Sequence, residues 1–114
     1  MPTAIIRQGS LYEPITLTAS VATTAGFSLN IAAGGMLLLD SKSAAGTITI
    51  SFYVKGDERF SDTYQLVDSS GAAITQTVTA AGQAFPLPDG LFAARFILPV
   101  VSSGTAVVRY ATKG

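Results

Sequence analysis

The residues of this chain that could do chemistry are few, and two of the most useful types are missing. Its 114 residues include no histidine and no cysteine. Without histidine the commonest general base and metal ligand is gone. Without cysteine there are no disulfides or thiolate metal sites, and the redox compartment stays open. A glycoside hydrolase needs two carboxylates flanking one bond. Here only Glu13, Glu58 and five aspartates are on offer, and Asp68 and Asp89 lie in turn sequences that account for them. Serine is plentiful, yet no Gly-x-Ser-x-Gly elbow or Ser-x-x-Lys signature accompanies it. Nor is there a Gly-x-x-x-x-Gly-Lys-Ser/Thr phosphate loop. The expectation is a protein that is not an enzyme and carries no cofactor.

Three groups remain as binding candidates. Residues Gly56, Asp57, Glu58, Arg59, Phe60, Ser61 and Asp62 form the only charge cluster. A hard cation wants several such oxygens, but no EF-hand pattern is present, and a solvated loop explains the cluster as well. Tyr12, Tyr53, Tyr64, Tyr110 and Phe85 could offer rings to a sugar, with packing of amphipathic rings as the plainer reading. Thr16, Thr18, Thr47, Thr49, Thr75, Thr77 and Thr79 form no array of fixed spacing, and β-propensity accounts for them.

Charge narrows the partners. Seven basic residues balance seven acidic ones, and the cations are scattered singly. A nucleic-acid binder draws most of its affinity from a basic excess, so DNA and RNA are not expected. Charged residues make up 12% of the chain, about half of the roughly 25% usual in soluble domains. Mean hydropathy is +0.45, while Ala, Thr, Ser and Gly supply 52 of the 114 residues. Small uncharged residues thus stand where a solitary protein would carry Lys and Glu. Such a surface, at zero net charge, favours association. The most apolar runs, Met36 to Leu39 and Phe96 to Val101, are far too short to span a bilayer. Residues Met1 to Arg7 lack the pattern of a signal segment, and no membrane partner is expected.

The elements that must position these residues are strands. From Gly46 to Lys55 the sequence alternates, with Ile48, Ile50, Phe52 and Val54 on one face and Thr47, Thr49, Ser51, Tyr53 and Lys55 on the other. Further strands are expected at Thr3 to Arg7, Ile15 to Val21, Phe27 to Ile31, Tyr64 to Val67, Ile74 to Val78, Leu91 to Leu98 and Thr105 to Tyr110. Met36 to Asp40 reads as a strand buried on both faces. Asp68-Ser69-Ser70-Gly71, Pro88-Asp89-Gly90 and Ser102-Ser103-Gly104 read as turns, and Gly34-Gly35, Ala45-Gly46 and Ala81-Gly82 as interruptions. A short helical turn is allowed near Asp57 to Asp62; no 3.6 period is sustained elsewhere. Pro2 and Pro14 bracket a candidate extended arm over residues 1–14. Strands at 8–12-residue spacing predict one all-β domain over 1–114, an antiparallel β-sandwich or barrel of eight or nine strands.

A short, cysteine-free, charge-poor sandwich of this composition resembles the small decoration or cement proteins of tailed-bacteriophage capsids, and related head-fibre and tail modules. The resemblance rests on Gly46 to Val54, the Asp68-Ser69-Ser70-Gly71 hairpin, Pro88-Asp89-Gly90-Leu91-Phe92 and Ser103-Gly104-Thr105-Ala106-Val107-Val108. It implies a jelly-roll-like sandwich, a homotrimer on the capsid surface of the virion, and the major capsid protein as partner. The implied function is multivalent clamping of neighbouring capsomers. A carbohydrate-binding or adhesin sandwich is the alternative. Ile5, Ile6 and Arg7 are candidate arm contacts, and Tyr53, Arg95 and Arg109 are candidate interface anchors on faces opposite the core.

Overall fold

The computed structural model describes residues 10–11, 14–24, 26–28, 34–56, 59 and 61–113. Nine strands lie within them: β1 Ser10–Leu11, β2 Ile15–Leu17, β3 Gly34–Lys42, β4 Ile48–Lys55, β5 Tyr64–Gln65, β6 Thr75–Val78, β7 Ala84–Pro86, β8 Phe96–Val101 and β9 Ala106–Lys113. The helical structure among the described residues is one 3-10 helix, Asp89–Ala93. The expected strand at Thr3 to Arg7 falls outside the described residues, as do Asp57, Glu58 and Phe60 of the turn allowed near Asp57 to Asp62, whose Ser61 and Asp62 are not helical.

The strands form two antiparallel sheets. In the first, β9 pairs β1 and β2 on one side and β3 on the other, and β3 pairs β7. In the second, β4 pairs β8 on one side and both β5 and β6 on the other. Phe27 extends this sheet beyond β8 by bridging Ile97. The spatial orders are therefore β2-β9-β3-β7 and Phe27-β8-β4-β6. Counted along the chain as eight segments, these are 1-8-3-6 and 2-7-4-5, the order of a jelly roll of two Greek keys.

Period-two alternation places the core. Ile48, Ile50 and Phe52 of β4 point inward, as do Leu37 and Leu39 of β3, Ala106, Val108 and Tyr110 of β9, and Ile97 and Val101 of β8. Burying a side chain of this size contributes about 1.5–3 kcal/mol, which is why the register is strongly specified.

Several expectations need correction. Met36 to Asp40 is not buried on both faces: Met36 is 43% exposed, and the burial alternates with Leu37 and Leu39. A bulge between Leu39 and Ser41 then turns the strand. Gly34-Gly35 opens β3 instead of interrupting it, and a Cβ on Gly35 would lie 2.5 Å from the Ala111 carbonyl oxygen of β9. The strand expected from Leu91 begins at Phe96, because Pro88-Asp89-Gly90 starts the 3-10 helix, which buries Leu91. The strand expected to reach Val21 stops at Leu17, where Thr18 and Ser20 begin a hydroxyl-bonded turn. Strands β1 and β7 were not expected; each has three residues or fewer.

Candidate functional site

Among the described residues no three carboxylates gather as a metal site would need. Asp40, Asp62, Asp68 and Asp89 are all exposed. Asp68 is a turn residue: its Oδ1 accepts from Ser70 Oγ at 2.6 Å, Ser70 N at 2.9 Å and Ala72 N at 3.0 Å. Those bonds, the serine hydroxyl first, hold its carboxyl below the ordinary aspartate range. Glu13, Asp57 and Glu58 lie outside the described residues.

The aromatic candidates separate. Tyr110 and Phe85 are core residues, 7% and 5% exposed, and the Tyr110 ring stacks on Phe27. Neither belongs to a surface platform. Tyr53 faces Gln65, and Tyr64 faces Val54, so the two tyrosines project from opposite faces of the second sheet. Tyr12 falls outside the described residues.

Tyr64, 61% exposed, borders an open cleft of about 520 Å³ at one end of the sandwich. Val54, Leu66, Ala93 and Ala94 give it apolar walls, and Lys55 and Arg95 bring two cations. The Lys55 ammonium lies 5.7 Å from the centroid of the Phe96 ring, a cation–π contact.

The outer faces of the two sheets are the second feature. On the second sheet the outward positions are Thr49, Ser51, Tyr53 and Lys55 of β4, Phe96, Leu98 and Val100 of β8, and Thr75 and Thr77 of β6. Lys55, at the end, is the one charged residue among them. Leu98 and Val100 are buried without joining the core cluster. Gly26 lies against Phe96 and Leu98: a Cβ there would meet them at 2.2 Å and 2.7 Å. On the first sheet, Pro86, Met36 and Ala111 form one row across β7, β3 and β9, and Ala84, Leu38 and Arg109 form the next. Arg109 Nε donates to Asp40 Oδ2 at 2.9 Å, so the two charged side chains described on this face offset each other.

Four loops close one end: 18–26, 43–47, 79–83 and 102–105. Their described residues are all uncharged. Polar contacts bind them to each other and to the sheets. Ser43 Oγ accepts from Thr105 N at 2.7 Å. Ser102 Oγ accepts from Thr49 N at 3.0 Å. Lys42, at the end of β3, turns its ammonium onto the carbonyls of Ala44 and Gly46. At the opposite end lie Lys55, Arg59, Asp62, Asp89 and Arg95.

The six candidate contact residues do not form one patch. Tyr53 is on the outer face of the second sheet, Arg109 on that of the first, and Arg95 is exposed beside the cleft. Ile5, Ile6 and Arg7 lie outside the described residues. What sequence reasoning missed is the apolar row of Met36 and Pro86; the alternating burial of β3 carries it, hidden within a continuous apolar run. Comparison with family models, curated proteins and solved structures finds no match for the chain.

Proposed function

We propose that the chain is a structural virion protein. It is a capsid decoration or cement protein that binds the outer shell of a tailed phage as a homotrimer and clamps neighbouring capsomers without covalent bonds. One observation carries this reading: the described outer-face side chains are mostly small, apolar or hydroxyl-bearing, Leu98 and Val100 being already covered within the chain, and the charged ones described there are the Asp40–Arg109 pair and Lys55. Apolar area removed from water contributes roughly 25 cal/mol per Å², offset by the cost of immobilising each partner. Several weak contacts per oligomer then act together through effective concentration. The test is co-sedimentation of the chain with tailed-phage heads stripped of accessory proteins, followed by imaging. Ordered density at symmetric surface positions supports the reading. Heads that remain bare at saturating chain would dispose of it.

The cleft at Tyr64 favours a second reading, a carbohydrate-binding or adhesin module. An exposed ring beside two cations suits an acidic sugar. A glycan array in which no sugar binds in a Tyr64-dependent manner would remove it.

A further inference from the structure

Sandwiches leave sheet edges, and the edges here are guarded unequally. The β7 edge of the first sheet contains Pro86, and the opposite edge has Pro14 directly before β2. Proline lacks the N–H that a joining strand would use. The β6 edge of the second sheet reads Ile74-Thr75-Gln76-Thr77-Val78-Thr79, with no proline and no charge. Such an edge is a template for another strand.

Hydrogen bonding says which groups face outward. Thr49 N donates to Ser102 Oγ, and Ser102 N donates to Thr49 O at 2.9 Å. Thr49 therefore turns its backbone toward β8, and its neighbours Ile48 and Ile50 turn theirs toward Val78 and Gln76. It follows that Thr75 and Thr77 direct their N–H and C=O groups away from β4, to the open edge. The Gln76 side chain confirms the direction, since its Nε2 donates to Thr77 O at 3.0 Å.

The segment is also self-complementary about Gln76. Thr75 and Thr77 flank it, and the β-branched apolar residues Ile74 and Val78 lie one step further out. We infer that β6 is a two-fold docking edge for β6 of a second copy, antiparallel and centred on Gln76. Thr75 then exchanges both backbone bonds with the second copy's Thr77, and Thr77 with its Thr75. Gln76 meets Gln76 as a non-hydrogen-bonded pair, and an inter-copy bond replaces the Gln76 cap on Thr77. The uncharged outer face of Thr49, Ser51, Thr75 and Thr77 continues unbroken into the second copy. Copies that also form three-fold rings would be linked ring to ring. This pairing is a property of the chain alone, so it stands or falls apart from the capsid reading.

The absence of cysteine makes the test direct. Gln76→Cys supplies the sole thiol, at a position where a non-hydrogen-bonded antiparallel pair brings Cα atoms to about 4.5 Å, within disulfide reach. Under mild oxidation it is expected to form a covalent dimer faster than Ala84→Cys on the proline-guarded β7 edge. Thr77→Pro removes an outward N–H while leaving the bonds to β4 intact. It is expected to weaken dimerisation about tenfold or more, two inter-copy bonds being lost per pair, with an unchanged circular dichroism spectrum. Thr77→Val, which keeps the N–H, should dimerise as the native chain does. Equal cross-linking of Gln76→Cys and Ala84→Cys would overturn the inference. So would a dimer indifferent to Thr77→Pro, or a native chain that stays monomeric at roughly millimolar concentration.

Discussion

Phe27 and Tyr110 stack with ring centroids 4.0 Å apart and planes 17° from parallel. One ring comes from the segment bridging β8 in the second sheet, the other from β9 in the first. The pair is thus one contact of the shared core between the two sheets, on a segment held to β8 by an isolated bridge. Truncating Phe27 to Ala removes a nearly fully buried ring and is expected to cost about 3–5 kcal/mol. Tyr110→Phe keeps the stack and should cost far less. Urea unfolding of both variants measures the difference, and equal losses would show that the stacked rings add nothing to the packing between the sheets.

Gly104 and Gly71 both adopt positive φ, +66° and +88°. A Cβ at Gly71 meets open space, whereas at Gly104 it would lie 2.5 Å from Ser43 Oγ. Gly71→Ala should therefore cost only backbone strain, roughly 1 kcal/mol. Gly104→Ala should cost more, because it also disturbs the Ser43–Thr105 bonds that fasten two end loops. Thermal melts of the two variants, ranked in the opposite order, would contradict this account of the loop end.

Asp68 sets a pH dependence. Its carboxyl is held low by the bonds from Ser70 and Ala72, so the support it gives the turn is complete above the ordinary aspartate range. That support is lost as pH falls through the lowered pKa. The amide resonances of Ser70 and Ala72 should shift together at that acidic step, and Asp68→Ala should abolish the step. Shifts that follow an unperturbed aspartate would count against the turn geometry.

The Asp40–Arg109 pair is partly exposed, its side chains 37% and 42% accessible. A double-mutant cycle should give a coupling of about 0.2–1 kcal/mol that fades with salt. Its larger consequence is that the two charges described on the first sheet's outer face offset each other. Arg109→Ala leaves Asp40 unpaired there and should weaken any association through that face.

How much of this was legible in the residues depends on periodicity. Alternation at Ile48, Ile50 and Phe52, and at Ala106, Val108 and Tyr110, led directly to the two central strands and their buried faces. Where apolar residues run on without alternation, as in Met36 to Leu39, period alone could not say which positions face water. Leu91 and Phe92 read as strand because their types suit one, yet Pro88 and Asp89 start a 3-10 helix ahead of them. The outer faces were foreshadowed by composition, since scarce charge has to leave some surface bare. Which rows pair across strands is a matter of register, and register is set by long-range contacts. The unguarded β6 edge likewise emerges only once β4 is known to lie on its other side.

Sedimentation velocity across a wide range of chain concentration and salt tests the central claim most directly. If the uncharged faces and edge exist to be covered, mass rises with concentration, and the association holds or strengthens as salt increases. A single monomeric species at every concentration, or an association that dissolves as salt is raised, would contradict it.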